Sequence, residues 1–140
     1  MTIIRHFTAL AWFESIKKDG MIKLEGCGAE AKQSTDDECR NRWKLLKGQY
    51  KVSGRYVWFT EQAHVKCVGS AFTHAIEFDA ETIGARPWLL VRRIAVNKGG
   101  SRARKLIEQL ETYAREQGDN PDLWWVCDKP VPLNAALEAR

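Results

Sequence analysis

Apolar residues near the start of the chain follow first the spacing of a strand and then that of a helix. Residues 2–7 predict a short strand, after which Trp12, Phe13 and Ile16 recur at helical spacing. We expect Thr8 to cap this helix and Gly20 to end it. The pattern therefore predicts a strand followed at once by a helix over residues 9–18.

The middle of the chain is predicted to contain a loop and two strand segments. Residues 27–37 are small and polar and predict a loop, and residues 38–46 favour a short helix. Residues 50–60 are rich in aromatic and β-branched side chains, which favours a hairpin or a bent strand. Residues 71–78 alternate, with Phe72, His74, Ile76 and Phe78 on one face, as in a half-buried strand.

The second half contains a long amphipathic pattern. Residues 89–96 are apolar and fit either a strand or the start of a helix. Gly99 and Gly100 then interrupt the chain, and Ser101 can cap a helix that ends at Gly118. The apolar stripe of this helix consists of Leu106, Ile107, Leu110, Tyr113 and Ala114. Residues 123–127 predict a last strand, followed by an extended edge at Pro130 and Pro132.

Together these elements predict an α+β fold. We expect a single domain over residues 1–140, with a mixed or split β-sheet core, an N-terminal helix and a long helix in the second half. At 140 residues, 44% of them hydrophobic and 29% charged, the chain can bury a core without disulfides. Its apolar runs are too short for a bilayer, and no apolar export segment opens it. We therefore expect a cytoplasmic protein without membrane contact.

Charge and cysteine spacing narrow the candidate chemistry. The four cysteines form no C-x-x-C pair, so we predict no metal site. The formal charge of +4 permits weak attraction to nucleic acid or acidic partners. Much of the excess lies around one predicted helix start, where it forms either a solvated helix face or an anion site. The residues concerned are Arg92, Arg93, Lys98, Arg102, Arg104 and Lys105.

Residues 6–8 (HFT) end the first predicted strand, and the helix after them closes on a glycine. An imidazole and a hydroxyl on one strand face can form hydrogen bonds to ribose hydroxyls. A strand histidine can also be a structural residue whose hydrogen bonds are made within the protein. This opening resembles ADP-ribosyltransferases of the diphtheria-toxin and poly-ADP-ribose-polymerase type, and the related RNA 2′-phosphotransferases. The resemblance implies an NAD site in which His6 and Thr8 orient the ribose on the adenosine side.

The segment at residues 56–61 (YVWFTE) resembles the next motif of these families, a strand with a central aromatic residue that leads into small residues, here 69–71. The resemblance implies that Trp58 packs on the nicotinamide and that Thr60 and Ser70 complete the cofactor-binding set. An indole attracts a flat, partly cationic ring through its quadrupole. Trp58 and Phe59 can also be read as core residues on alternate faces.

The families also place a glutamate on a later strand, but residues 123–127 contain none. Glu61, Glu77 and Asp122 are the candidate catalytic acids, and it stays open whether the chain is an active mono-ADP-ribosyltransferase. With residues 119–125 (DNPDLWW) and 129–132 (KPVP), the layout is similar to small phage and prophage proteins, which implies a host protein or nucleic acid as acceptor. The alternative is an inactive phage inhibitor that binds a host defence protein.

A second resemblance covers residues 93–103. A strand at residues 93–96 followed by residues 98–103 (KGGSRA) is similar to the acetyl-CoA motif of GNAT acetyltransferases, in which backbone N–H groups at a helix start hold a pyrophosphate. Ser101 stands where that motif has its first glycine, and Gly99-Gly100 can equally be a turn. Acetyl-CoA is therefore the alternative cofactor.

Overall fold

The computed structural model describes residues 1–24, 56–66 and 72–139. It contains strands β1 (Ile3–Thr8), β2 (Met21–Ile22), β3 (Val57–Thr60), β4 (His74–Asp79), β5 (Arg86–Pro87), β6 (Trp124–Cys127), β7 (Val131–Pro132) and β8 (Glu138–Ala139), and helices α1 (Leu10–Asp19) and α2 (Trp88–Glu116). Short 3₁₀ segments cover Pro121–Leu123 and Leu133–Ala135. The main sheet has the order β5-β6-β3-β1-β4-β8, and β2 pairs with β7. The predicted α+β class is confirmed.

Strand β1 lies inside the main sheet but is paired unequally with its two neighbours. It pairs antiparallel with β4 at six positions, from Ile3↔Asp79 to Thr8↔His74. It pairs with β3 only at Arg5↔Thr60. Strands β1 and β3 are therefore paired near Arg5 and separate from each other toward Thr8, the end of β1.

The turn from β1 into α1 differs from the prediction in its cap. Thr8 is the last residue of β1, and Ala9 is the N-cap without a side-chain hydrogen bond. The chain stays extended through Thr8 because the β4 pairing continues to that residue. Gly20 ends the helix as predicted, with φ of 72° and its N–H bonded to the Ile16 carbonyl.

The sheet separates two apolar cores. Because side chains alternate along a strand and paired residues share a face, His6, Phe59 and Ile76 lie on one face. That face packs on Phe13 of α1 and on the small β2–β7 sheet. The other face carries Trp58, Trp124 and Val126, which pack under α2.

Helix α2 reverses direction at Gly100, where φ is 68° and ψ is −154°. The Trp88 indole N–H donates to the Glu111 carboxylate at 3.0 Å, although the residues are 23 apart in the chain. A straight helix would separate them by about 35 Å. The two halves of α2 therefore lie antiparallel, as in a helical hairpin.

Residues 89–96 are thus helical, and the strand interpretation of this segment is wrong. Trp88 and Val91 bury the apolar side of the first half of α2 against β6. The apolar run that also fitted a strand therefore supplies the buried side of a helix. The second half carries the predicted stripe, with Ile107 and Ala114 buried. Ser101 lies inside α2, directly after the reversal.

Several predictions lie outside the described residues. These are the loop at 27–37, the helix at 38–46, the beginning of the strand at 50–60, and the small-residue segment with Ser70. Among the described residues, no helix is both long and apolar enough to cross a membrane.

Candidate functional site

A cleft opens where β1 and β3 part. His6, Phe7 and Thr8 border it from β1, Tyr56, Val57 and Trp58 border it from β3 and the residue before it, and α1 and the chain beyond it close one side. The cleft encloses about 50 Å³, which is room for a few water molecules. The two sequence motifs singled out above therefore meet at one site.

His6 is fixed by the main chain of β3. Its Nδ1 lies 2.8 Å from the Trp58 carbonyl oxygen. A carbonyl oxygen can only accept, so Nδ1 donates and Nε2 of the neutral ring is left as an acceptor. Burial lowers the pKa of His6 below its ordinary value of 6.5, and the bond to Trp58 opposes that effect only in part. His6 is therefore neutral at pH 7, with its tautomer set by Trp58.

The two threonines of the predicted cofactor set lie in different places. Thr8 is buried on the cleft wall, and its hydroxyl donates at 3.5 Å to the Ala9 carbonyl. Thr60 is also buried, but its hydroxyl accepts from the Gln62 N–H at 3.1 Å and shapes the turn after β3. Thr8 and His6 are brought together, and Thr60 is not.

Trp58 borders the cleft, but its indole does not face the His6 imidazole. The registers place the two side chains on opposite faces of the sheet. The indole instead packs in an aromatic cluster, 4.7 Å from Trp88, 5.5 Å from Trp124 and 5.9 Å from Tyr56 between ring centroids. His6 and Trp58 therefore do not face one another across the cleft, and Trp58 takes the position of a core residue on the face opposite Phe59.

Other aromatic rings border the cleft in place of that indole. Tyr56, Trp12 and Phe72 line it, and Trp12 meets Phe72 edge to face at 5.2 Å. Sequence reasoning assigned Trp12 to the α1 core stripe and gave Tyr56 no separate role. Only the position of α1 over the gap between β1 and β3 reveals them as lining residues.

None of the three candidate acids borders the cleft. Glu77 lies on the face opposite His6 and pairs with Arg5 at 3.2 Å, because the two residues are cross-strand partners. Glu61 accepts from the Trp125 indole at 3.1 Å, and Asp122 pairs with Arg115 at 3.0 Å. Among the described lining residues the one carboxylate is Asp19, an exposed side chain 3.3 Å from Lys23.

The glycine pair does not follow a strand. The segment before Gly99 is the first half of α2, so the strand of the acetyl-CoA motif is replaced by helix. A Cβ at Gly99 would collide with Cβ of Ala103. Gly100 has a φ of 68°, which glycine adopts more easily than residues with a side chain. The pair therefore serves the reversal of α2.

Searches for relatives give no further constraint. No family model, no curated protein and no solved structure matches the chain. In the described part of the chain, no three His, Cys, Asp or Glu side chains are grouped so that they could hold a metal ion.

Proposed function

We propose that the chain is an ADP-ribosyltransferase-like domain that binds NAD in the cleft between β1 and β3. One observation carries the proposal: His6 and Thr8 of the HFT motif border this cleft together, at the place where the sheet parts. The resemblance assigns these two residues to the cofactor. Their meeting with the YVWFTE segment at one cleft supports that assignment.

The proposed contacts follow from the state of each group. Neutral His6 offers Nε2 as an acceptor for a ribose hydroxyl, and Thr8 can donate or accept beside it. Trp12 supplies a flat apolar surface on which nicotinamide or adenine can pack. Because the enclosed space of about 50 Å³ is far below the several hundred of a dinucleotide site, Trp12 and Phe72 must move apart on binding.

Catalysis is a separate question from binding. Transfer of ADP-ribose to a host protein or nucleic acid needs a carboxylate beside the ribose to stabilise the cationic transition state. Glu61, Glu77 and Asp122 are engaged elsewhere, and Asp19 pairs with Lys23. This observation favours a second candidate function, in which the domain binds a host protein as an inhibitor without turnover. Incubation with labelled NAD and host extract separates the two, since only transfer gives a labelled macromolecule.

A thermal-shift titration with NAD and, in parallel, acetyl-CoA tests the site. At a hundredfold excess over its dissociation constant, NAD is expected to add about 2.7 kcal/mol to the free energy of unfolding. The variant His6→Asn keeps a donor for the Trp58 carbonyl but lacks Nε2, so it should lose most of the NAD shift. The matched control is His64→Asn, at an exposed histidine that does not border the cleft.

Two results would contradict the proposal. Equal NAD shifts in wild type and His6→Asn would show that His6 does not contact the cofactor. No shift in either protein would show that the chain does not bind NAD. A shift with acetyl-CoA alone would favour the acetyltransferase alternative.

A further inference from the structure

The positive charge of the chain is concentrated in one segment. Residues 86–107 contain seven of the 22 basic residues and no Asp or Glu, whereas acids outnumber bases 18 to 15 in the rest of the sequence. This segment includes β5, the first half of α2 and the reversal at Gly100. The net positive charge of the protein therefore comes from this one part of the fold.

The same helix exposes large aliphatic side chains. Leu89, Leu90 and Ile94 are 43%, 59% and 44% exposed, whereas Trp88 and Val91 beside them are buried. Successive helical residues are rotated by about 100°, so the side of α2 opposite Trp88 presents these three residues together with Arg93 and Lys98. We call these five residues the α2 outer face.

The two cations of this face are Arg93 and Lys98. Arg92, on the buried side of the helix, lies 3.2 Å from the Glu111 carboxylate. Arg93 and Lys98 make no such ion pair with any carboxylate in the described part of the chain. A ligand with both negative charge and apolar surface would complement the face on both counts.

Among anionic ligands, the geometry favours a protein. Phosphates would use Arg93 and Lys98 but leave the three aliphatic side chains in water. A membrane would need a continuous apolar stripe, yet Arg93 and Asn97 lie between Leu89 and the Leu90–Ile94 pair around the helix. A second copy docking through the same face would bring like charges together.

We propose that the α2 outer face is a docking surface for an acidic protein partner, one that places an apolar contact over Leu90 and Ile94 and carboxylates around Arg93 and Lys98. The inference is independent of NAD binding, because the cleft between β1 and β3 contributes no residue to this face.

Fluorescence anisotropy with defined probes tests this surface. The first probe is a synthetic helical peptide with a leucine stripe flanked by glutamates, and the second has the leucines replaced by glutamine. A DNA duplex and vesicles of phosphatidylserine and phosphatidylcholine complete the set. The leucine–glutamate peptide is expected to bind most tightly, and its affinity should fall with added salt.

Two double variants separate the contribution of the cations to peptide binding from that of the aliphatic residues. Leu90→Asn with Ile94→Asn, and separately Arg93→Gln with Lys98→Gln, should each weaken binding of the leucine–glutamate peptide by about tenfold or more. Matched controls are Leu10→Asn, at a leucine 57% exposed on α1, and Lys129→Gln, at an exposed lysine outside the segment. Both controls should bind the peptide like wild type, and all variants should keep the wild-type melting temperature because their side chains are exposed.

Three outcomes would overturn the proposal. Peptide affinity that is unchanged in both double variants would exclude the face as a docking surface. Tighter binding of the DNA duplex, lost in the Arg93–Lys98 variant but not in the Leu90–Ile94 variant, would assign it to nucleic acid. Tighter binding of the vesicles would assign it to lipid.

Discussion

At the scale of the residue, His6 combines a structural bond at Nδ1 with an acceptor at Nε2 that no described residue is seen to use. Its Nδ1–H bonds the Trp58 carbonyl across the gap in which β1 and β3 no longer pair, so the imidazole satisfies an acceptor that a strand would otherwise satisfy. The structural and functional interpretations of the histidine in the HFT motif are therefore compatible, because they use different ring nitrogens.

This bond predicts different effects for two substitutions. His6→Leu removes the donor for the Trp58 carbonyl and should lower the free energy of unfolding by about 1–3 kcal/mol. His6→Asn can keep a donor near Nδ1 and should cost clearly less. Urea unfolding at neutral pH measures both, and equal losses would show that the bond to Trp58 contributes no stability.

The lowered pKa of His6 determines whether its contribution to the free energy of unfolding rises or falls with pH. The unfolded chain binds the proton near the ordinary pKa of 6.5, and the folded chain binds it only at lower pH. The His6 contribution to stability is therefore complete above about pH 6.5 and lost as the pH falls. Wild type should lose more stability than His6→Asn between about pH 7.5 and 5, and parallel curves from urea unfolding would contradict this.

At the scale of the element, the reversal of α2 is set by two adjacent glycines and stabilised by one buried carboxylate. Glu111 is 7% exposed, accepts a hydrogen bond from the Trp88 indole and forms an ion pair with Arg92, so it joins the two halves of the helix. Burial of these groups is tolerable because each has its partner.

Substitution of either glycine should destabilise the protein. Gly100→Ala imposes a Cβ on a backbone that favours glycine, at a cost of about 1–3 kcal/mol. Gly99→Ala should cost as much or more, because its Cβ meets Ala103 and the chain must shift. The exposed neighbour Ser101→Ala is the control and should change the urea midpoint little. A Gly100→Ala variant as stable as wild type would argue against the reversal.

At the scale of the whole molecule, one sheet separates two cores. Its buried face near Phe78 also holds Cys127, whose thiol lies 3.6 Å from the Ile83 carbonyl. Burial, with a smaller contribution from Asp128, raises the pKa of Cys127 to about 11. The thiol is therefore almost fully protonated at neutral pH and unreactive.

Alkylation of Cys127 should consequently report global unfolding. In the native protein, iodoacetamide should modify Cys127 much more slowly than in urea, as measured by peptide mass spectrometry that resolves each cysteine. Equal rates in the two states would show that the core around β6 opens without unfolding of the domain.

Local patterns in the sequence determined most of the element types. The alternation at Ile76 and Phe78, the α1 spacing closed by Gly20 and the run at residues 123–127 each reflect only burial along one element. These three element types are confirmed, with the last strand beginning one residue later than predicted, at Trp124. The sequence also selected His6 and Thr8, because two residues apart on a strand share a face.

Tertiary structure decided which surfaces those side chains meet. Sequence could place Trp58 and Phe59 on opposite faces, but only the strand order shows that Trp58 turns to α2 and His6 to α1. Likewise, residues 89–96 are apolar enough for strand or helix, and contact with β6 and Glu111 selects the helix. Pairing between distant segments depends on the whole chain, and no local spacing encodes it.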